Sequence, residues 1–141
     1  MERPAKGLVL DANILVSAAL GARVRGILDR FHRTIIFSAP DVCRTDARRK
    51  IPEICRKLNL DQTKAFEVLS YVERIVEFVE LRIYAAVEND ARVRIARDPD
   101  DWPIIATALS LDLPIWTEDR DFFGCGVATW ITNTVEIYLR L

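Results

Sequence analysis

In GLVLDANILVSAAL, residues 7–20, Asp11 ends an apolar run, and a second apolar run resumes just beyond Asn13. A carboxylate set against a buried strand is costly unless something compensates its charge. Either it caps the following helix, or it holds a metal ion or a phosphoryl group. Further acids stand in comparable places. Glu118, Asp119 and Asp121 follow the run PIWT, Asp98, Asp100 and Asp101 precede WPIIATAL, and Asp46 follows Pro40 by close to two helical turns. The carboxyl ends of parallel strands share one rim, where open sheets bind ligands. Carboxylates gathered there repel one another unless a cation sits among them. A donor set made only of oxygens suits Mg²⁺ or Mn²⁺ rather than zinc. Two such ions activate water and stabilise the leaving oxygen in phosphodiester cleavage.

Each acid also has a purely structural explanation. Asp98-Pro99-Asp100-Asp101 has the form of an N-cap with Pro at the first helical position and an acid in the first turn. Asp119 is suited to cap the turn TEDRDFF, and Asp46 sits among Arg44, Arg48 and Arg49 as a surface ion-pair partner would. Asp11 is the hardest to explain in this way, because Asn13 accompanies it directly after a strand.

The elements that would hold these acids alternate. GLVLD reads as a short buried strand, ANILVSAAL as a helix broken by Gly21, and RVRGILDRFHR as a helix with Val24, Ile27, Leu28 and Phe31 at helical spacing. TIIFSAP is a second strand closed by Pro40. The stretch from Pro40 to Leu58 reads as a long helix or helix pair, interrupted near Pro52. Asp61 caps the next helix, whose apolar face is Phe66, Leu69, Val72, Val76 and Val79. An extended segment is expected around Val79 to Leu81, then a charged helix in VENDARVRIARD and an apolar helix in WPIIATALSLD. PIWTED and GVATWIT are strands, and NTVEIYLRL closes as a helix. Strands alternating with helices indicate a parallel sheet covered on both faces. No linker or repeat divides the 141 residues, so a single domain over 1–141 is expected.

Composition narrows the class only a little. Lys plus Arg is 20 and Asp plus Glu is 21, and a net charge of −1 does not exclude nucleic-acid enzymes, which bind through local patches or metals. Cys43, Cys55 and Cys125 form no CxxC pair, so they read as reduced, buried thiols rather than a disulfide framework or zinc site. The lone His32 gives no support for a Ser-His-Asp arrangement. No segment approaches the length of a membrane span, and MERPAKG is too short and polar for a signal peptide. A cytoplasmic protein with no membrane partner is expected.

Four pieces, LVLDANILVSA, SAPDVCRTDARR, DDWPIIATAL and IWTEDRDFF, stand in an order and spacing that covers almost the whole chain. Together they resemble the PIN-domain nucleases, including the toxins of bacterial and archaeal toxin–antitoxin pairs. The first and last pieces are the most specific. The resemblance implies a three-layer α/β/α sandwich with a central parallel sheet, and a ribonuclease dependent on Mg²⁺ or Mn²⁺. Asp11, Asp101 and Asp119 would be metal-binding acids, with Asp121 close enough to help. Asp46 would be the remaining catalytic acid, standing where the family commonly has Glu; one methylene shorter, it reaches a metal through water. Asn13 and Thr117 would orient the carboxylates by hydrogen bonds. Water would attack in line, leaving a 5'-phosphate and a 3'-hydroxyl. Arg44, Arg48, Arg49 and Lys50, with Arg120, are the expected RNA contacts; Trp102 and Trp116 read as core. The resemblance further implies an antitoxin protein and a homodimer as partners. Phe66, Leu69, Val72 and Val76 would serve such contacts or belong to the core.

Two other classes compete. A haloacid-dehalogenase-like phosphatase also places an Asp after its first strand and a Ser after its second, as Asp11 and Ser38 stand, but it carries a second acid where this chain has Asn13. A CheY-like receiver needs paired acids near the first strand, and KGLVLDAN offers one. A catalytically weak or inactive PIN module that binds RNA or a protein is the non-enzymatic reading, and the short Asp46 supports it.

Overall fold

The computed structural model describes residues 6–141. Most of the polar start MERPAKG therefore lies outside the described residues. Five strands form one sheet in the order β3-β2-β1-β4-β5, with every pair parallel. They are β1 (Gly7–Leu10), β2 (Ile36–Pro40), β3 (Glu77–Val79), β4 (Ile115–Trp116) and β5 (Thr129–Trp130). A parallel sheet is covered on both faces, so its strands are apolar throughout rather than alternating. The central β1 obeys this, with all four residues buried. Gly7 is there because the chain is crowded: a Cβ would come within 2.8 Å of Leu113 Cδ1 and 3.0 Å of the Ile36 carbonyl.

The helices are α1 (Ala12–Leu20), α2 (Ala22–Phe31), α3 (Asp41–Leu58), α4 (Gln62–Ile75), α5 (Leu81–Tyr84), α6 (Glu88–Arg94), α7 (Trp102–Leu111) and α8 (Val135–Leu139). α1, α3 and α4 pack against one another, and α7 packs on β1 and β2 together with α5 and α6, giving the α/β/α layers. Leu69, Val72 and Val76 are buried and the partly buried Phe66 packs against the core, so this stripe belongs to the core. Trp116 is fully buried, and Trp102 is half-buried against Tyr84. Among the described residues no helix is long and apolar enough to cross a membrane.

Three sequence expectations need correction. α3 runs unbroken through Pro52. Proline removes one helical hydrogen bond, but Cys43, Ala47, Ile51 and Cys55 form a buried stripe on both sides of it, and packing keeps the axis in one piece. The extended segment is Glu77–Val79, not Val79 to Leu81. Its partner β2 ends at Pro40, which pairs with Val79, so nothing is left for Leu81 to pair with and it opens α5 instead. By the same token α4 stops at Ile75, and Val76 and Val79 reach the core from outside the helix.

Candidate active site

The sheet order places the first strand in the middle, with β2 on one side and β4 on the other. Connections leave β1 and β4 toward opposite faces at such a point, opening a crevice beyond their carboxyl ends. A cavity of about 160 Å³ lies there. Asp11 and Asn13 line it from the β1–α1 junction, Cys43, Asp46 and Lys50 from α3, Asp98, Asp100 and Asp101 from the turn before α7, and Asp119 from the segment after β4. Four chain segments that are distant in sequence thus bring Asp11, Asp46, Asp101 and Asp119 to one hollow.

Each acid is held differently. Asp11 is 4% exposed. One oxygen accepts the Ile14 N–H at 2.9 Å, capping α1, and the other accepts the Thr117 hydroxyl. Thr117 Oγ1 in turn accepts the Asp119 N–H at 3.0 Å, so one hydroxyl ties the ends of β1 and β4 together. Asp119 accepts the Asp121 N–H at 2.9 Å, as its capping reading expected. Asp98 and Asp101 make no side-chain cap, so the capping explanation fails for them. Asp46 pairs with Arg49 at 3.0 Å, as its ion-pair reading expected, and also lines the cavity.

The acids stress one another. Burial raises the Asp11 pKa, Thr117 and the Ile14 N–H oppose this, Asp119 adds to it and Lys50 opposes it. Asp101 is pushed up to about 7, first by burial, then by the neighbouring Asp98, then by Asp119 and Asp11. Burial also drives the Cys43 thiol far up, with Asp11, Asp46 and Asp101 adding to the effect. Cys43 therefore stays protonated and is no nucleophile. The direct partners of Asp11 are the neutral Ile14 N–H and Thr117 hydroxyl, and most of the polar side chains on the cavity wall are carboxylates, the oxygen ligands a hard divalent cation prefers. Among the described residues no three His, Cys, Asp or Glu side chains stand close enough to form a ready-made metal cage. Mg²⁺ does not require one, since it commonly binds through one or two carboxylates and keeps several waters. The residues present fit such an ion.

The remaining sequence candidates divide. Thr117 does orient Asp11. Asn13 touches no carboxylate; its Oδ1 accepts from Lys50 Nζ at 3.0 Å. Asp121 and Arg120 follow Asp119 in a short turn and do not line the cavity. Arg44 and Arg48 both donate to Glu73, at 3.1 and 2.5 Å, and they too lie off the cavity wall. Glu73 comes from α4, and that long-range pairing leaves no local trace in the sequence. Cys43 was not singled out as a site residue, although its spacing to Asp46 and Lys50 puts all three along one side of a helix.

A family model described as the PIN domain matches residues 9–140. The chain has no match among curated proteins. Several solved structures share its fold. The structure of PAE2754 from Pyrobaculum aerophilum superposes with a TM-score of 0.73 at 19% identity, covering 96% of this chain and 90% of that one. A toxin–antitoxin complex from Klebsiella pneumoniae gives a TM-score of 0.60 at 16% identity, and FitAcB from Neisseria gonorrhoeae 0.61 at 21%. Each of these two matches covers 89% of this chain and 97% of the other.

Proposed function

The chain belongs to the PIN-domain family, and from that premise we propose that it is a metal-dependent endoribonuclease, the toxin of a toxin–antitoxin pair. The observation that carries this reading is the convergence of Asp11, Asp46, Asp101 and Asp119 on one cavity at the switch point of the sheet. Asp11, Asp101 and Asp119 would share Mg²⁺ or Mn²⁺, one or two of them by direct contact and the rest, with Asp46, through its waters. The ion supplies charge neutralisation at the scissile phosphate and a more acidic water.

The protein's own groups do the rest. Thr117 holds the Asp11 carboxylate against rotation, and the α1 N-terminus holds its other oxygen. Asp119 is fixed by its own turn and by Thr117. Asp101, free of any capping duty, is pushed up to about 7 by burial and by the neighbouring Asp98, Asp119 and Asp11, so a cation in the cavity would favour its ionised form. No side chain need attack the phosphorus, so the nucleophile is water and the cut leaves a 5'-phosphate and a 3'-hydroxyl. The phosphatase alternative gains nothing, because position 13 is Asn and that side chain is engaged by Lys50. Since one structural neighbour is a toxin–antitoxin complex, the partner proposed for this chain is an antitoxin protein, alongside a second copy of itself, in the cytoplasm.

The test is incubation of end-labelled RNA and DNA pools with Mg²⁺, with Mn²⁺ and with chelator, using wild type beside Asp119→Asn. RNA cut only with the ion and only by wild type, with 5'-phosphate ends, is the expected result. A folded wild-type protein that binds RNA but cuts nothing under any ion would replace this reading with the inactive binding module.

A further inference from the structure

Lys50 is the one basic side chain on the cavity wall among the described residues. The other cations of its helix face are spent: Arg44 and Arg48 on Glu73, Arg49 on Asp46. Lys50 is tied differently. Its ammonium donates to Asn13 Oδ1, a neutral acceptor from a different segment that also borders the cavity. An ammonium has three N–H donors, and this bond uses one. The group is thus aimed by an amide while keeping its charge and most of its donors. It is half-buried, with the acids of the cavity around it. A polyanion entering a hollow lined by carboxylates meets repulsion everywhere except at a bound cation and at this side chain.

We infer that Lys50, seated on Asn13, is the substrate-contacting cation of the site and receives a backbone phosphate of the RNA. This deepens the nuclease reading and rests on it. It also gives Asn13 a different task from the one its position suggests: it positions Lys50 rather than a carboxylate.

The test compares wild type, Lys50→Gln, Lys50→Arg and Asn13→Ala. Binding of a labelled single-stranded oligoribonucleotide is followed by fluorescence anisotropy in Ca²⁺ over a range of salt, and cleavage in Mn²⁺ is measured in parallel. Loss of one phosphate contact on a single strand should flatten the slope of log affinity against log salt by about 0.7. Lys50→Gln should show that flattening, with binding weakened and KM raised about tenfold. Lys50→Arg should keep the wild-type slope, and Asn13→Ala should keep the slope while weakening binding. If wild type binds and cuts RNA while Lys50→Gln matches its affinity and slope, Lys50 only offsets the acids and the inference is overturned. If wild type neither binds nor cuts RNA, the nuclease reading falls and takes the inference with it.

Discussion

Asp101 is half-buried among like charges, so its ionisation works against the fold. Its pKa is pushed from 3.8 to about 7. Between those values the native protein holds a proton that the unfolded chain has lost, so stability falls as pH rises through that window. In chelator, the melting temperature should therefore drop between pH 5 and pH 8 by more in wild type than in Asp101→Asn. At pH 7.5 the variant should be the more stable by roughly 1 kcal/mol, a modest figure because solvent screens a half-exposed group. Thr117→Val keeps the shape but removes the hydroxyl that serves both Asp11 and the Asp119 N–H. It should cost about 1–3 kcal/mol in urea unfolding. Wild-type stability in that variant would mean the hydroxyl link is dispensable. Asp11 was legible because a carboxylate after an apolar strand has few cheap explanations. The choice of Asp101 was legible only through resemblance. The neutralisation of Arg44 and Arg48 by Glu73 was not legible, because the partner lies on another helix.

At the scale of elements, the site exists because β1 and β4 are neighbours although more than a hundred residues separate them. Alternation of strands and helices could be read from short apolar runs and their punctuation, and the strand ends fell where the acids stood. Boundaries set by pairing could not. β3 is three residues long, and its limits come from where β2 stops rather than from its own residues. Pro52 misled for a related reason: helix-breaking is a local preference, and the buried stripe of α3 overrides it. Because α3 already continues through this position, Pro52→Ala should restore one backbone hydrogen bond and stabilise the protein by about 1 kcal/mol or more in equilibrium unfolding. Destabilisation would mean that the ring packs against its neighbours better than the restored bond repays.

The molecule as a whole is close to neutral, with a net charge of −1, yet its charges are unevenly placed. Several arginines are paired with acids on the surface, among them Arg30, Arg82, Arg92 and Arg140. The cavity, by contrast, collects six aspartates and a single lysine among the described residues. Near-neutral composition concealed that concentration, which only the fold creates. A divalent cation that binds the folded cavity and not the unfolded chain must raise stability by mass action. The most direct measurement is the melting temperature at pH 7.5 of wild type and Asp101→Asn, each in chelator and in Mn²⁺. The expected result is crossed. In chelator the variant melts higher, since one repelling charge is gone. Mn²⁺ raises wild type by several degrees and leaves the variant nearly unmoved. An Mn²⁺ effect that is absent in wild type, or equal in both proteins, would contradict the claim that these acids share a cation.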